Sequence, residues 1–196
     1  MRLIQYTKVA LQQYQKALKI RQAALPVIRS KESALRNEVK QQQKQLQALE
    51  AAYLTQLEAA ALLGELWQHW PGGMPELKAI HTQMQNFAGV KLQRFRELEL
   101  AESGLDPLQH PAWYFDAWLS LRALLELRAQ LQLKAQEVAA LEAERKRTTQ
   151  KLNLFEKVQI PHYEEAIRKI KRYLEDEENL GKATQKIMKK KKEAAA

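Results

Sequence analysis

Apolar residues recur at alternating intervals of three and four along the first third of the chain. With heptad position a placed at Ile4, one seam collects Ile4, Leu11, Leu18, Leu25, Val39, Leu46, Tyr53 and Ala60, and position d collects Tyr14, Ile28, Leu35, Leu49 and Leu63. Such a sustained 3.5-residue repeat predicts one helix of a left-handed coiled coil over residues 1–63, about 90 Å long at 1.5 Å per residue. Five seam positions are polar instead: Thr7, Arg21, Glu32, Gln42 and Gln56. Their long side chains are expected to reach water; the sharper alternative is that Arg21 and Glu32 fix register or face a partner. Pro26 falls inside the repeat, where a proline removes a backbone hydrogen bond at a cost of about 3 kcal/mol. The heptads run through it, so a kink is expected rather than a stop.

Gly64 and the run PGGMP at Pro71–Pro75 break the pattern and open a middle lobe, 64–112. Pro75 suits the first turn of a short helix over 75–86, with Leu77, Ile80 and Met84 on one face and Trp67 and Trp70 packed over it. From Gly89 the segment VKLQRFRELELA alternates apolar and polar residues, which predicts a β-hairpin over 89–101 turning near Gln93–Arg96. Ser103, Gly104, Asp106, Pro107 and Pro111 mark a loop after it. Trp113, Tyr114, Phe115 and Trp118 then open a second long helix, 113–196, and are expected to form the lobe's core rather than a partner patch. Leu124, Leu127, Leu131, Val138, Leu141, Leu152 and Phe155 keep a heptad that Arg145 and Thr148 interrupt. Beyond it Ile160, Tyr163, Ile167, Ile170 and Leu174 repeat one residue out of phase, and Pro161 sits at the slip. An offset of that kind alters the local supercoil.

Two long periodic helices separated by a short lobe predict a mainly α fold, an antiparallel two-helix coiled coil with a small middle lobe. If Leu63 lies near Leu119, paired positions add to about 182, which sets Pro26 opposite about residue 156 and leaves Gly181 onward without a partner. Charge divides along the same lines. Residues 1–63 carry 10 Lys and Arg against 4 Asp and Glu, residues 64–144 carry 7 against 11, and residues 145–196 carry 15 against 8. Two basic ends brought together make one basic pole, whose field attracts acidic partners. Ala194–Ala196 follow the terminal lysines.

The sequence has no Gly-rich phosphate loop, GxSxG elbow or HExxH pair, and His69, His81, His110 and His162 stand singly. Neither a cofactor nor a metal is expected, and the acidic run Glu175–Glu178 reads as a solvated helix face. The absence of cysteine fits a reducing compartment, and no apolar run is long enough to span a bilayer. A basic coiled-coil module that binds nucleic acid, or a scaffold, is one alternative; the aromatics lie in the acidic lobe, away from the basic residues, which weakens any stacking model. Membrane-surface binding by Arg168–Lys192 is another, opposed by the carboxylates at 175–178.

The stretch KLNLFEKVQIPHYEEAIRKIKRYLEDEE, starting at Lys151, resembles the C-terminal helix of the D subunit of V/A-type (vacuolar-type) rotary ATPases, which forms part of the central stalk. Asn153, Glu156 and Ile160–Pro161 match the family's pattern, while Leu154 and Phe155 are larger than its usual Ala and Leu. The segments FAGVKL, HPAWYFDAW and ALPVIRSKESALRNEV are similar to the lobe and first helix of bacterial members. The resemblance implies a non-catalytic rotor shaft, cytoplasmic and peripheral to the inner membrane. Its helices would enter a hexamer of A and B subunits, and its lobe would meet the small F subunit of the stalk and the adaptor on the membrane ring. Rotation would couple ATP hydrolysis or synthesis to proton or sodium transport, with neither nucleic acid nor membrane insertion involved. Residues expected to face the hexamer are Arg145, Lys146, Arg147, Lys151, Asn153, Glu156 and Lys189, Lys190, Lys191 and Lys192. Those expected to face the other stalk subunits are Val90, Leu92, Phe95, Leu98 and Trp113.

Overall fold

The structure, a computed structural model, describes residues 5–70, 75–101 and 110–194. Helix α1 spans Lys8–Ala61, strands β1 (Leu77–Phe87) and β2 (Val90–Leu100) form one antiparallel hairpin, α2 spans Trp113–Asn153 and α3 spans Ile160–Ala194. A π-helical turn, Leu154–Gln159, joins α2 to α3 without a break, and a 3-10 turn, Gly64–His69, follows α1. The expected mainly α architecture with a hairpin in the middle is therefore present. Two compact units result, one from the chain's two ends (up to Glu32, and from Arg147), the other from Ser33–Lys146.

Within α1 the predicted seam is the buried one. Leu35 and Val39 are buried, and Leu11, Tyr14, Leu18, Leu25, Ile28, Leu46, Leu49 and Tyr53 are half-buried. Ile4 lies outside the described residues. Glu32 and Gln42, expected to reach water, are instead 5% and 2% exposed. Their buried polar ends find partners across the helix pair: Thr149 donates to Glu32, and Lys134 donates to Gln42. Buried polar groups require such bonds. α1 continues through Pro26 and ends where Gly64 takes a left-handed conformation (φ 49°), which a residue without a side chain adopts readily.

Pairing in each unit follows the expected antiparallel register. Among the end segments Arg21 meets Gln159, Arg29 meets Glu156 and Glu32 meets Thr149; in the other unit Gln43 meets Glu142. Tyr6 lies against Tyr173 and Tyr14 against Tyr163, with ring centroids 5.0 and 5.7 Å apart.

The middle differs from expectation in two ways. Residues 75–86 are not a helix: Leu77–Phe87 is a strand, and its apolar residues Leu77, Ile80 and Met84 stay exposed. A helix there would have had no surface on which to bury that face, while pairing with β2 satisfies the backbone. The hairpin accordingly spans 77–100 rather than 89–101, and it turns at Ala88–Gly89 rather than near Gln93–Arg96. Ala88 (φ 50°) and Gly89 (φ 88°) both take positive φ, as a two-residue turn matched to strand twist requires, and the Asn86 side chain accepts from the Gly89 N–H at 3.1 Å. The register slips between His81 and Thr82, which absorbs the awkward Arg94–Arg96 centre of β2.

Trp70 packs on the start of α2, and Trp67 lies against Trp70 with ring centroids 5.9 Å apart, rather than over a helix at 75–86. Trp70 lies 6.3 Å from Trp113 and 5.6 Å from Tyr114, whose hydroxyl donates to the His69 carbonyl at 2.8 Å. The Trp67 indole N–H donates to the Ala60 carbonyl. These rings contact one another, yet Trp113, Tyr114, Phe115 and Trp118 are each half-buried rather than enclosed, so they form a cluster at the surface and not the expected closed core.

Candidate functional site

The π-helical turn follows from Pro161. A proline lacks the N–H of the helical ladder, and its ring crowds the carbonyl one turn back. Widening the preceding turn relieves that contact, and the Ile160 N–H reaches the Phe155 carbonyl five residues back. Such a turn accommodates one residue more than an α-turn. The one-residue slip of the apolar stripe is this insertion: Leu152 before the turn, Phe155 at its start, and Tyr163, Ile167 and Ile170 after it all turn inward.

Arg21 is fastened to this turn from α1. Its Nε donates to Gln159 Oε1 at 2.6 Å, its Nη1 donates to the Ala17 carbonyl at 3.1 Å, and its guanidinium lies 4.5 Å from the Tyr163 ring and 5.9 Å from the Phe155 ring. Further along α1, Arg29 Nη2 donates to Glu156 Oε1 at 2.8 Å. The outward side of the turn mixes exposed apolar residues, Leu154 (45%) and Val158 (57%), with the charged Glu156 and Lys157.

Of the residues expected to face a catalytic hexamer, Lys146, Arg147, Lys151, Asn153 and Glu156 are exposed, and Arg145 is half-buried. Glu156 is already engaged by Arg29, and the Lys151 ammonium lies 5.9 Å from the Phe155 ring. Every residue from Glu175 to Glu193 is exposed, including Lys189, Lys190, Lys191 and Lys192. In this segment Lys182 bonds Glu178 at 2.8 Å, and before it Lys169 bonds Glu165 at 2.7 Å. The hydrogen bond and positive charge from Lys182 lower the Glu178 pKa, and those from Lys169 lower that of Glu165. The terminal lysines and the residues around the π-helical turn are not brought into one cluster.

The expected stalk-facing set separates as well. Leu92 is 1% exposed and packs with Leu35, Val39 and Leu141, so it anchors the hairpin and is hidden from any partner. Val90 packs against the same cluster, Phe95 and Leu98 are half-buried, and Trp113 joins the aromatic group. Arg94 and Glu137 escaped the sequence reading. Arg94 on β2 meets Glu137 Oε1 at 3.2 Å, Lys134 meets Glu137 Oε2 at 2.7 Å, and the Glu137 side chain is 1% exposed. Nothing in the helical pattern marks Glu137, because its partner Arg94 comes from the hairpin and not from another helix.

Among the described residues no cluster of His, Cys, Asp or Glu could hold a metal, and no helix is long and apolar enough to cross a membrane. A family model, that of the ATP synthase D subunit, matches residues 10–190. The chain is similar to the V-type ATP synthase D subunit of Thermus thermophilus, 27% identical over 88% of this chain and 81% of that protein. It is also similar to the V-type ATP synthase D subunit of Chlamydia pneumoniae, 24% identical over 87% of this chain and 84% of that protein. The match to the corresponding Borreliella burgdorferi protein is 29% identical and covers 58% of this chain and 56% of that relative.

Proposed function

The chain belongs to the ATP synthase D-subunit family, and from that premise we propose that it is the central rotor shaft of a V-type ATPase. It is a non-catalytic stalk subunit that carries rotation between a catalytic A/B hexamer and a membrane ring, coupling ATP hydrolysis or synthesis to proton or sodium transport. The observation that carries this is the family match over residues 10–190, which takes in both long helices and the hairpin between them. Its partners are the A and B subunits, the small F subunit of the stalk and the ring adaptor, and it works on the cytoplasmic side, peripheral to the inner membrane.

The surface chemistry supports this role. A rotor must release each contact as it turns, so shallow, exposed charges suit it better than a deep apolar grip. Exposed ion pairs contribute about 0 to 1 kcal/mol each and are screened by salt. Arg147, Lys151 and Lys157 are exposed cations of that kind on the turns before Pro161, and the terminal lysines are others. The half-buried Phe95 and Leu98 on the hairpin and Trp113 at the start of α2 remain available, in part, to the other stalk subunits.

The test is a double charge reversal, Arg147→Glu with Lys151→Glu, in the assembled complex. Assembly is expected to persist while ATP-driven ion transport falls about fivefold, with the defect shrinking as salt rises. Transport unchanged at low salt contradicts a role for these cations in the rotor's contacts.

A further inference from the structure

We propose that the π-helical turn Leu154–Gln159 is a dispensable insertion as far as folding is concerned, held by Arg21 and retained for the mechanical work of the shaft. The functional half of this proposal rests on the rotor reading. Its structural half does not.

The stripe of α2 reaches Leu152 and Phe155 in heptad phase, and the stripe of α3 resumes at Ile160 and Tyr163 one residue late. Removing one residue between them would restore a continuous heptad with the same side chains turned inward. The insertion therefore buries nothing that an unbroken helix would leave exposed. It also carries local costs. The π-helical turn is a rare, locally disfavoured conformation, and Pro161 donates no N–H to the helix ladder. Where a chain departs from the locally consistent solution without a folding gain, the departure points to function.

Arg21 shows how the turn is kept. It occupies a seam position at which an apolar residue would satisfy the coiled coil, and it instead bonds Gln159 inside the turn and lies against Phe155 and Tyr163 on either side of Pro161. Its fourth contact, to the Ala17 carbonyl, ties the guanidinium to its own helix. Arg21 is thus a positioning residue. A lysine has one ammonium and cannot bond Gln159 and Ala17 while also stacking on both rings. The turn it holds is wide and short of one donor, which makes it the place where this helix yields most easily to bending or twisting.

The experiment has two arms. In the isolated full-length chain, deletion of Val158 together with Pro161→Ala is expected to leave the Tm equal to or above that of the unaltered chain. An alanine added after Val158, which moves the stripe further out of phase, is expected to lower it by about 10 °C. A deletion variant less stable than the parent overturns the proposal, since the turn would then be needed for folding. By hydrogen exchange, Arg21→Met is expected to speed amides 157–160 by about tenfold or more, Arg21→Lys is not expected to restore protection, and amides 135–145 should not change. Equal exchange in the Arg21→Met variant overturns the clamp.

In the complex, the deletion variant is expected to assemble and hydrolyse ATP while moving about threefold fewer ions per ATP. Unchanged coupling overturns the functional half. Failure of the unaltered chain to assemble overturns the rotor reading itself, whereas a stability loss in the isolated deletion variant overturns only this inference.

Discussion

In the hairpin-bearing region a buried carboxylate, Glu137, holds Arg94 and Lys134 beside a core of Leu35, Val39, Leu92 and Leu141. Around the π-helical turn, by contrast, a half-buried arginine lies among Phe155, Tyr163 and Gln159, and the apolar residues Leu154 and Val158 face solvent. Both regions pair α1 with the C-terminal helix, yet they use cations in opposite ways. The first fixes a third element, the hairpin, through a carboxylate removed from water. In the second, a cation on α1 stabilises an irregular turn in the opposing helix through bonds that solvent can reach. Burial makes the first expensive to disturb, and partial exposure leaves the second adjustable.

The largest effect should come from the first region. Glu137→Ala removes the carboxylate shared by two cations. Breaking a fully buried pair costs about 3–5 kcal/mol, but Arg94 is 38% exposed, so about 2–3 kcal/mol is expected. Urea unfolding of the full chain measures it, and a loss below about 0.5 kcal/mol would show that the hairpin does not depend on this network. Arg21→Met should rank next. Its exchange signature is confined to the π-helical turn, and an equal response in both regions would erase the contrast between them.

The smallest effect belongs to the exposed part of α3. Lys182 lowers the Glu178 pKa, so the stabilisation from this pair is present above the ordinary carboxylate range and is lost as pH falls through the lowered value. Glu178→Gln should therefore change helicity slightly at neutral pH and not at all in acid, where the native carboxyl is already protonated. Circular dichroism against pH checks this. A change that persists in acid would mean that something other than the ion pair is responsible.

The helices were legible in the sequence because coiled-coil burial is periodic: the seam from Leu11 to Tyr53 and the stripe from Leu131 to Ile170 turn inward much as spacing alone requires. Even the π-helical turn left a trace, since a one-residue slip beside a proline has few structural solutions. The hairpin was harder to place. Leu77, Ile80 and Met84 are spaced as on a helix, and the turn uses Ala88, which rarely takes positive φ, where Asn or Asp before Gly89 would have announced it. Glu32 and Gln42 were misjudged because pattern shows which face a residue occupies but not whether a partner lies opposite. Surface roles were legible only in part. Exposure separates Arg147 and Lys151 from the half-buried Arg145 and from Leu92, a distinction composition does not contain.

The central claim is that this chain is a rotor shaft, and the most direct measurement is ATP-driven rotation in a V-type complex assembled with and without it. With the chain present, a probe fixed to the hairpin at Lys78 should turn relative to immobilised A and B subunits while ATP is hydrolysed, and without it hydrolysis should no longer drive ion transport. A probe that stays fixed relative to the A and B subunits during coupled turnover would contradict the account.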